Sequence, residues 1–266
     1  MKIGLTLSGG GVRGAAHIGL IRALLEANIV PDRLVGVSAG AIVASMYCLG
    51  LSPDEMMTQV LRSSLVKLIK VGFPTTGLTK LDYLKERLAV FHPNNDFKDL
   101  RYPLHIGITN LSTGQLELHH EGPLHDILAA SCSIPFVFKP VIINGVHYVD
   151  GGVIKNMPVS PLINEADFII GSNLMPYDHL PPADVGSVIN IVWRCFDLSI
   201  MANTVPSAEL CDIVVEAPRI NDYNIFNLAR LQELHDLGYT ATKARIPEIL
   251  TALEQKRELL EEIGRA

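Results

Sequence analysis

Apolar residues fall into two kinds of run along the chain. Short continuous runs, each closed by glycine or a turn, alternate with longer stretches in which apolar residues recur every three or four positions. The first kind suits strands buried on both faces of a parallel sheet, and the second suits amphipathic helices. Residues 3–7 form a strand ending in a glycine cluster, and residues 15–26 a helix with Ile18, Ile21, Leu24 and Leu25 on one face. After a Pro31-Asp32 turn, residues 34–37 read as a second strand and residues 41–49 as a buried helix. Strand, glycine loop, helix, strand, turn, helix is an α/β pattern.

The alternation continues through the chain. Ser52-Pro53-Asp54-Glu55 has the form of a capping box, opening a helix through Met56, Met57, Val60, Leu61, Leu65, Leu68 and Ile69. A break comes at residues 73–77, then a shorter helix carrying Leu81, Leu84 and Leu88, and a loop at residues 92–95. Residues 104–109 and 116–119 read as strands, 125–131 as a helix, and 141–149 as a hairpin turning at Asn144-Gly145. Residues 168–172 and 213–216 are further strands. The period of residues 184–205 fits helix and strand alike, and the charged tail over 247–264 reads as an amphipathic helix. With no repeat, low-complexity tract or long polar linker, the expected organisation is one domain over 1–246 with a C-terminal helix over 247–266 packed on it.

Composition narrows the function classes. Lys plus Arg number 22 against 28 Asp plus Glu, a net charge of −6, and aromatic residues are 6% of the chain. Such a chain lacks both the phosphate-neutralising charge and the stacking surface of a nucleic-acid binder. The four cysteines are scattered without a Cys-x-x-Cys pair, so neither a zinc site nor a disulfide framework is expected, and free thiols fit a reducing, cytoplasmic setting. The mean hydropathy of +0.28 directs attention to residues 34–53, which carry no charge. Their length would span a bilayer, but Gly36, Ser38, Gly40, Ser45, Gly50 and Ser52 interrupt them, so a membrane span is not expected. The N-terminus enters a strand directly, and no secretion leader is expected.

Three glycine-rich sites stand at strand ends: residues 9–14 (Gly9-Gly10-Gly11-Val12-Arg13-Gly14), residues 36–40 (Gly36-Val37-Ser38-Ala39-Gly40), and Asp150-Gly151-Gly152. Gly9, Gly11 and Gly14 spell the dinucleotide fingerprint. That reading requires an acidic residue at the end of strand two to hold the ribose, and strand two ends in Gly36-Val37-Ser38 instead. The second site is G-x-S-x-G between a strand and a helix, the setting of a nucleophile elbow. There Gly36 and Gly40 remove side chains that would collide with neighbouring backbone, and Ser38 sits at a helix N-terminus. A plain glycine turn capped by a serine gives the same five letters. Read beside this elbow, the N–H groups of Gly9, Gly10 and Gly11 are candidate oxyanion donors, because both loops end strands of one parallel sheet. The nucleophile then needs a base. Asp150 is the candidate, against the bland alternative of a turn aspartate; His179 and His235 are the histidines that come after it in hydrolase order.

Taken in order, these blocks resemble the patatin-like phospholipases. Residues 9–14 are similar to that family's G-G-G-x-R-G loop, residues 36–40 to its G-x-S-x-G, residues 97–104 to the block leading into its central strand, residues 130–138 to its A-S-x-x-x-P-x-x-F block, Asp150-Gly151-Gly152 to its D-G-G motif, and Asn156-Met157-Pro158 to its N-x-P. The resemblance fades after about residue 175. It implies an α/β three-layer sandwich around a mainly parallel sheet, and a serine acyl hydrolase acting on phospholipids, lysophospholipids or related lipid esters. It further implies nucleophilic Ser38 activated by Asp150 without a histidine, an oxyanion loop at Gly9, Gly10 and Gly11, and support from Arg13, Gly14, Gly36, Gly40, Gly151 and Gly152. No cofactor and no metal are implied. Arg13 is expected to brace its loop through backbone carbonyls rather than to meet a lipid phosphate. Expected partners are the lipid ester and, peripherally, a membrane surface, with no nucleic acid. Helix residues 52–71 could cap an acyl site or simply pack on the core. Two alternatives keep the fold: a lipid-binding protein without hydrolysis, and acyl transfer to an acceptor other than water.

Overall fold

The computed structural model describes residues 1–62, 81–179 and 186–264. Its elements are β1 (Ile3–Leu7), α1 (Ala15–Glu26), β2 (Arg33–Gly36), α2 (Ala39–Leu49), α3 (Pro53–Arg62), α4 (Asp82–Phe91), β3 (Leu104–Asn110), β4 (Gln115–His119), α5 (Leu124–Ser131), β5 (Val141–Ile143), β6 (Val146–Asp150), α6 (Ser160–Glu165), β7 (Phe168–Asn173), α7 (Val188–Ala208), β8 (Ile213–Glu216) and α8 (Leu231–Gly264). The chain is an α/β protein built on one mostly parallel sheet in the order β5-β6-β3-β2-β1-β7-β8, with β4 paired to β3. Strands β1, β2, β3, β7 and β8 run parallel, β4 and β6 run antiparallel to β3, and β5 runs antiparallel to β6.

Alternate residues of each strand face opposite sides of the sheet. Leu5, Leu7, Leu34, Ile106, Phe168 and Ile170 join the large core with α1, α2, α5 and α8, whereas Val35 and Ile169 face a small cluster with Val159 and Leu162. The two helical covers are therefore unequal, and the thin one is built around α6.

The registers on β3 explain how residues far apart in sequence meet. β4 pairs with Ile106–Asn110 along one edge of β3. The other edge is shared: β2 covers it up to Gly36, opposite Ile106, and β6 covers it from Asp150, opposite Ile108. The ends of β2 and β6 thus approach each other at Gly107, and the elbow leaving Gly36 lies beside Asp150. A Cβ on Gly107 would stand 2.8 Å from Cγ2 of Val37, and one on Gly151 would stand 2.5 Å from the Gly107 carbonyl oxygen.

Several local expectations hold. The Ser52 N–H donates to Glu55 Oε2 (2.7 Å) while the Glu55 N–H donates to Ser52 Oγ (3.3 Å), a reciprocal capping box at the head of α3. The hairpin turns at Asn144 and Gly145, both at positive φ (50° and 82°), as the two-residue turn demands. Residues 34–53 divide into strand, elbow and the buried helix α2, and among the described residues no helix is long and apolar enough to cross a membrane.

Other expectations are corrected. The tail is no separate helix beginning at Pro247: α8 runs unbroken from Leu231 to Gly264 with Pro247 inside it. A proline within a helix costs about 3 kcal/mol through its missing N–H. Here Leu231 and Leu234 before it, and Ile249 and Leu253 after it, are buried in the same core, so tertiary packing holds the helix straight through. Residues 184–205, ambiguous in period, contain most of α7, capped by Ser187, whose Oγ accepts from the Asn190 N–H (3.1 Å). Its fully buried residues begin only at Ile200, and Val188, Ile189, Ile191 and Val192 in its first turns are exposed, which hid the helical period. The helix expected through Ile69 is described only as far as Arg62, and residues 63–69, like the break at 73–77, lie outside the described residues.

Helix α8 crosses α1 at close range. A Cβ on Gly19 would stand 2.0 Å from the His235 carbonyl oxygen, and one on Gly238 would stand 2.1 Å from that of Ala16. The contact fixes α1, and with it the glycine loop from which α1 emerges.

Candidate active site

Ser38 occupies the bend between β2 and α2 with φ 55° and ψ −125°, a region that residues with a side chain seldom enter. Its surroundings impose that conformation. Gly36 lies so near α2 that a Cβ would stand 2.7 Å from the Ala41 backbone, and a Cβ on Gly40 would stand 2.3 Å from the Leu7 carbonyl oxygen. The Ser38 N–H donates to Ser131 Oγ (2.8 Å), which in turn donates to the Gly107 carbonyl (2.8 Å), at the point where β2 and β6 meet along β3. This pair of bonds ties the elbow to α5.

Asp150 ends β6 and is buried. Its Oδ1 accepts the Gly152 N–H (2.8 Å), and its carbonyl accepts the Thr109 hydroxyl (3.0 Å). Burial pushes its carboxyl up to about 7, opposed by the Ser38 hydroxyl and the Gly152 N–H, both of which favour the charged form. A carboxyl of that kind titrates where a general base is useful at neutral pH. The histidines lie elsewhere. His235 accepts from Arg22 Nε (3.2 Å) and pairs with Asp236 (2.8 Å), His179 is exposed, and neither borders the cavities at Ser38. Buried His17, held between Ser172 Oγ and the Ser8 carbonyl, is pushed down to about 4 by burial and braces the end of β7.

The glycine loop lies against the elbow, with the Cβ position of Gly9 3.2 Å from Ser38 Cβ. The three glycines are not equivalent. The Gly9 N–H is engaged by Asn156, through both Oδ1 (3.1 Å) and the carbonyl (3.2 Å). Among the described residues no acceptor meets the N–H of Gly10 or Gly11, and both line the small cavity containing Ser38 and Asp150. Asn156, named in the sequence only as part of the N-x-P block and given no role there, is thus the clamp of this loop, and its own N–H donates to Asn203 Oδ1 (2.9 Å) on α7. The N-x-P block was its only signal; that its partner is Gly9, 147 residues away, is a matter of tertiary structure.

Arg13 is buried and bonded throughout. It donates to the carbonyls of Tyr223 (2.8 Å), Leu174 (3.0 Å) and Asn221 (3.3 Å), and to Asn221 Oδ1 (2.8 Å). It braces the loop from behind, through carbonyls, and does not line the cavities at Ser38. A Cβ on Gly14 would stand 2.8 Å from that of Ala39, and one on Gly152 would stand 3.0 Å from Asn156 Oδ1 and 3.1 Å from Asp150 Oδ1.

Two cavities meet at Ser38. One, of about 130 Å³, is lined by apolar side chains including Ile42, Val43, Val60, Leu84 and Phe138. Val60 brings α3 to this cavity, while Met56 and Met57 of the same helix are packed in the core. The other, of about 30 Å³, lies on the side of Asp150. Among the described residues no group of three or more His, Cys, Asp or Glu side chains is placed to hold a metal ion.

The sequence features of patatin-like phospholipases match residues 5–163, which include Ser38 and Asp150. The chain belongs to this family. A lysophospholipase of Phaeosphaeria nodorum, NTE1, is 24% identical over 93% of the chain, and an uncharacterised NTE family protein of Mycobacterium tuberculosis, Rv2565, is 24% identical over 92%. The chain spans 18% and 46% of the length of these two relatives. Among solved structures, VipD from Legionella pneumophila (TM-score 0.52, 14% identity, covering 93% of this chain and 67% of that one) shares the fold. So does human GIVD cytosolic phospholipase A2 (TM-score 0.51, 11% identity, covering 96% and 59%).

The bracing of the patatin-like loop gives a first expected result. Arg13→Ala leaves three carbonyls and an amide oxygen without their donor in a closed site, and should lower the unfolding free energy by about 2–4 kcal/mol in a urea titration. Arg13→Lys cannot reproduce the fork and should recover little of the loss.

Proposed function

We propose that the chain is a serine acyl hydrolase of lipid esters, working through an acyl–Ser38 intermediate with Asp150 as general base. One observation carries this reading: a strained serine faces a buried carboxyl of raised pKa, beside two glycine N–H groups without acceptors and at the end of an apolar cavity. Phospholipids, lysophospholipids and related esters are the substrate class, which the names of the relatives support.

These positions dictate the chemistry. Ser38 Oγ attacks the ester carbonyl carbon while its proton passes to Asp150. The carbonyl oxygen gains the negative charge, which the N–H groups of Gly10 and Gly11 stabilise. Gly9 donates its N–H to Asn156 and so keeps the loop in place rather than meeting the oxyanion. As the tetrahedral centre collapses, the C–O bond to the alcohol breaks and Asp150 returns the proton to the leaving oxygen. Water then attacks the acyl–serine ester, its proton passing to Asp150 and on to Ser38 Oγ as the fatty acid departs. The apolar cavity receives the acyl chain. A fluorophosphonate probe should label Ser38 stoichiometrically in the folded protein; a labelled peptide lacking Ser38, or no label at all, defeats the reading in favour of lipid binding without hydrolysis.

Contact with membranes is peripheral in this reading. The first turns of α7 expose Val188 (78%), Ile189, Ile191 and Val192. Next along the helix, the rings of Trp193 and Phe196 stack edge-on with Phe136 and Phe226, at centroid distances of 6.0–6.4 Å. Phe196 and Phe226 line the two cavities, so the exposed apolar surface is continuous with the entrance to Ser38. A lipid surface is the partner that suits it. Val188→Asp with Ile191→Asp should reduce turnover of vesicle lipid about tenfold or more and leave hydrolysis of a monomeric short-chain ester unchanged; equal loss on both substrates argues against the contact.

A further inference from the structure

The small cavity beside Ser38 contains a carboxyl that the acyl-transfer steps do not use. Asp197 of α7 lines it, and the same helix brings Phe196 and Ile200 to the cavity wall. The other polar side chains there are engaged: Asp150 by Gly152 and Ser38, and Asn156 by Gly9. Asp197 accepts no hydrogen bond and makes no ion pair among the described residues. Burial raises its pKa, a nearby Asp178 adds to the rise, and Arg13 and Arg194 oppose it from a distance. Neither arginine binds it, since Arg13 is bonded to Leu174, Asn221 and Tyr223, and Arg194 to Asp178 (2.6 Å). A half-buried carboxyl that borders the reaction centre and has no donor among the described residues is open to one from the substrate.

The two cavities divide the substrate. The acyl chain occupies the apolar side, so the alcohol half lies on the side of Asp150 and Asp197. At about 30 Å³ that side has the room of a hydroxyl-bearing carbon next to the scissile ester, and the remainder of the alcohol half extends beyond it. Resting on the Ser38–Asp150 reading, we propose that Asp197 determines leaving-group specificity: its carboxyl accepts a hydrogen bond from a free hydroxyl adjacent to the scissile ester, selecting monoacyl glycerolipids over fully esterified ones. A bound substrate without that hydroxyl displaces solvent from the carboxyl and leaves it unpaired, the situation in which hydrogen-bonding sites discriminate most strongly.

The test compares kcat/KM for a 1-acyl-glycerophosphocholine and for its analogue carrying hydrogen in place of the free hydroxyl, with wild type, Asp197→Ala and Asp197→Asn. The wild type should favour the hydroxyl substrate by about tenfold to a hundredfold, the range for a hydrogen bond to a charged group. Asp197→Ala should lose that preference by slowing on the hydroxyl substrate alone, and Asp197→Asn, which keeps an acceptor oxygen, should restore part of it. Absence of preference in the wild type overturns the proposal without recourse to any variant, and so does a preference that survives Asp197→Ala. If Asp197 merely balances Arg13 and Arg194, both substrates slow together and the unfolding midpoint shifts, which also overturns it. Turnover that persists in Ser38→Ala would instead sink the acyl-hydrolase reading itself, so the two failures are distinct.

Discussion

Ser38→Ala should lower kcat for lipid-ester hydrolysis by at least about 10⁴-fold while leaving the unfolding transition nearly unchanged. The magnitude is that of removing a nucleophile from a group of residues acting as a unit. The intact fold is expected because alanine fills the same space, and the bond from the backbone of residue 38 to Ser131 Oγ does not involve the lost hydroxyl. At φ 55° a side chain of either kind bears similar strain, so the substitution neither relieves nor adds to it. A second signature separates this variant from a merely damaged site. The Ser38 hydroxyl favours the ionised form of Asp150, so its removal should move the titration of Asp150 above its wild-type value of about 7, readable by carboxyl NMR or infrared difference spectra.

Asp150→Asn should abolish hydrolysis to a similar degree and, at the same time, stabilise the protein above neutrality. In the wild type kcat/KM should climb as pH passes through about 7, because the base works only when ionised, whereas an ordinary aspartate would have reached its plateau near pH 5. Stability runs the other way. Between the unfolded value near 4 and the folded value of about 7, the unfolded chain has released the Asp150 proton and the folded chain still holds it. The unfolded state therefore binds fewer protons, and the wild type loses stability as pH rises through that window, by about 4 kcal/mol at most. Asparagine is neutral throughout and can still accept the Gly152 N–H, so the variant should match wild type below pH 4 and exceed it above pH 7. Denaturant unfolding of both proteins from pH 4 to 8 decides the matter: parallel pH profiles would mean that Asp150 is not held as a buried, proton-retaining carboxyl.

Much of this site was legible in the sequence because its parts are local. An elbow is five consecutive residues, and Gly36, Ser38 and Gly40 are needed at that spacing by the backbone itself. Strand boundaries were legible for the same reason, since buried parallel strands are short apolar runs ended by glycine or turns, as at β1 and β7. What escaped depends on distant partners. Asn156 reads as an ordinary loop residue until Gly9 is placed against it, Ser131 as a helix-end serine until Ser38 lies 93 residues away beside it, and Asp197 as one more charge in a stretch of uncertain period. Gly9 belongs with them, since the engagement of its N–H by Asn156 depends on a residue 147 positions away. Pro247 shows the converse, a local signal for a helix boundary overridden by burial on both sides.

The anchoring of Arg13 bears on when the protein becomes competent as it folds. Its partners Leu174, Asn221 and Tyr223 lie 161 to 210 residues further along the chain, and the Val12 N–H bonds to the Ile225 carbonyl. Residues 5–163, the family-matching part, hold both Ser38 and Asp150 but none of these anchors. Closing loops of that length is among the slowest and last events available to a folding chain. A chain emerging from the ribosome would thus carry Ser38 and Asp150 well before the loop at residues 9–14 is fixed. In the proposed reaction, lipid cleavage would arise only with the docking of the C-terminal third, so the onset of activity would read out that folding step.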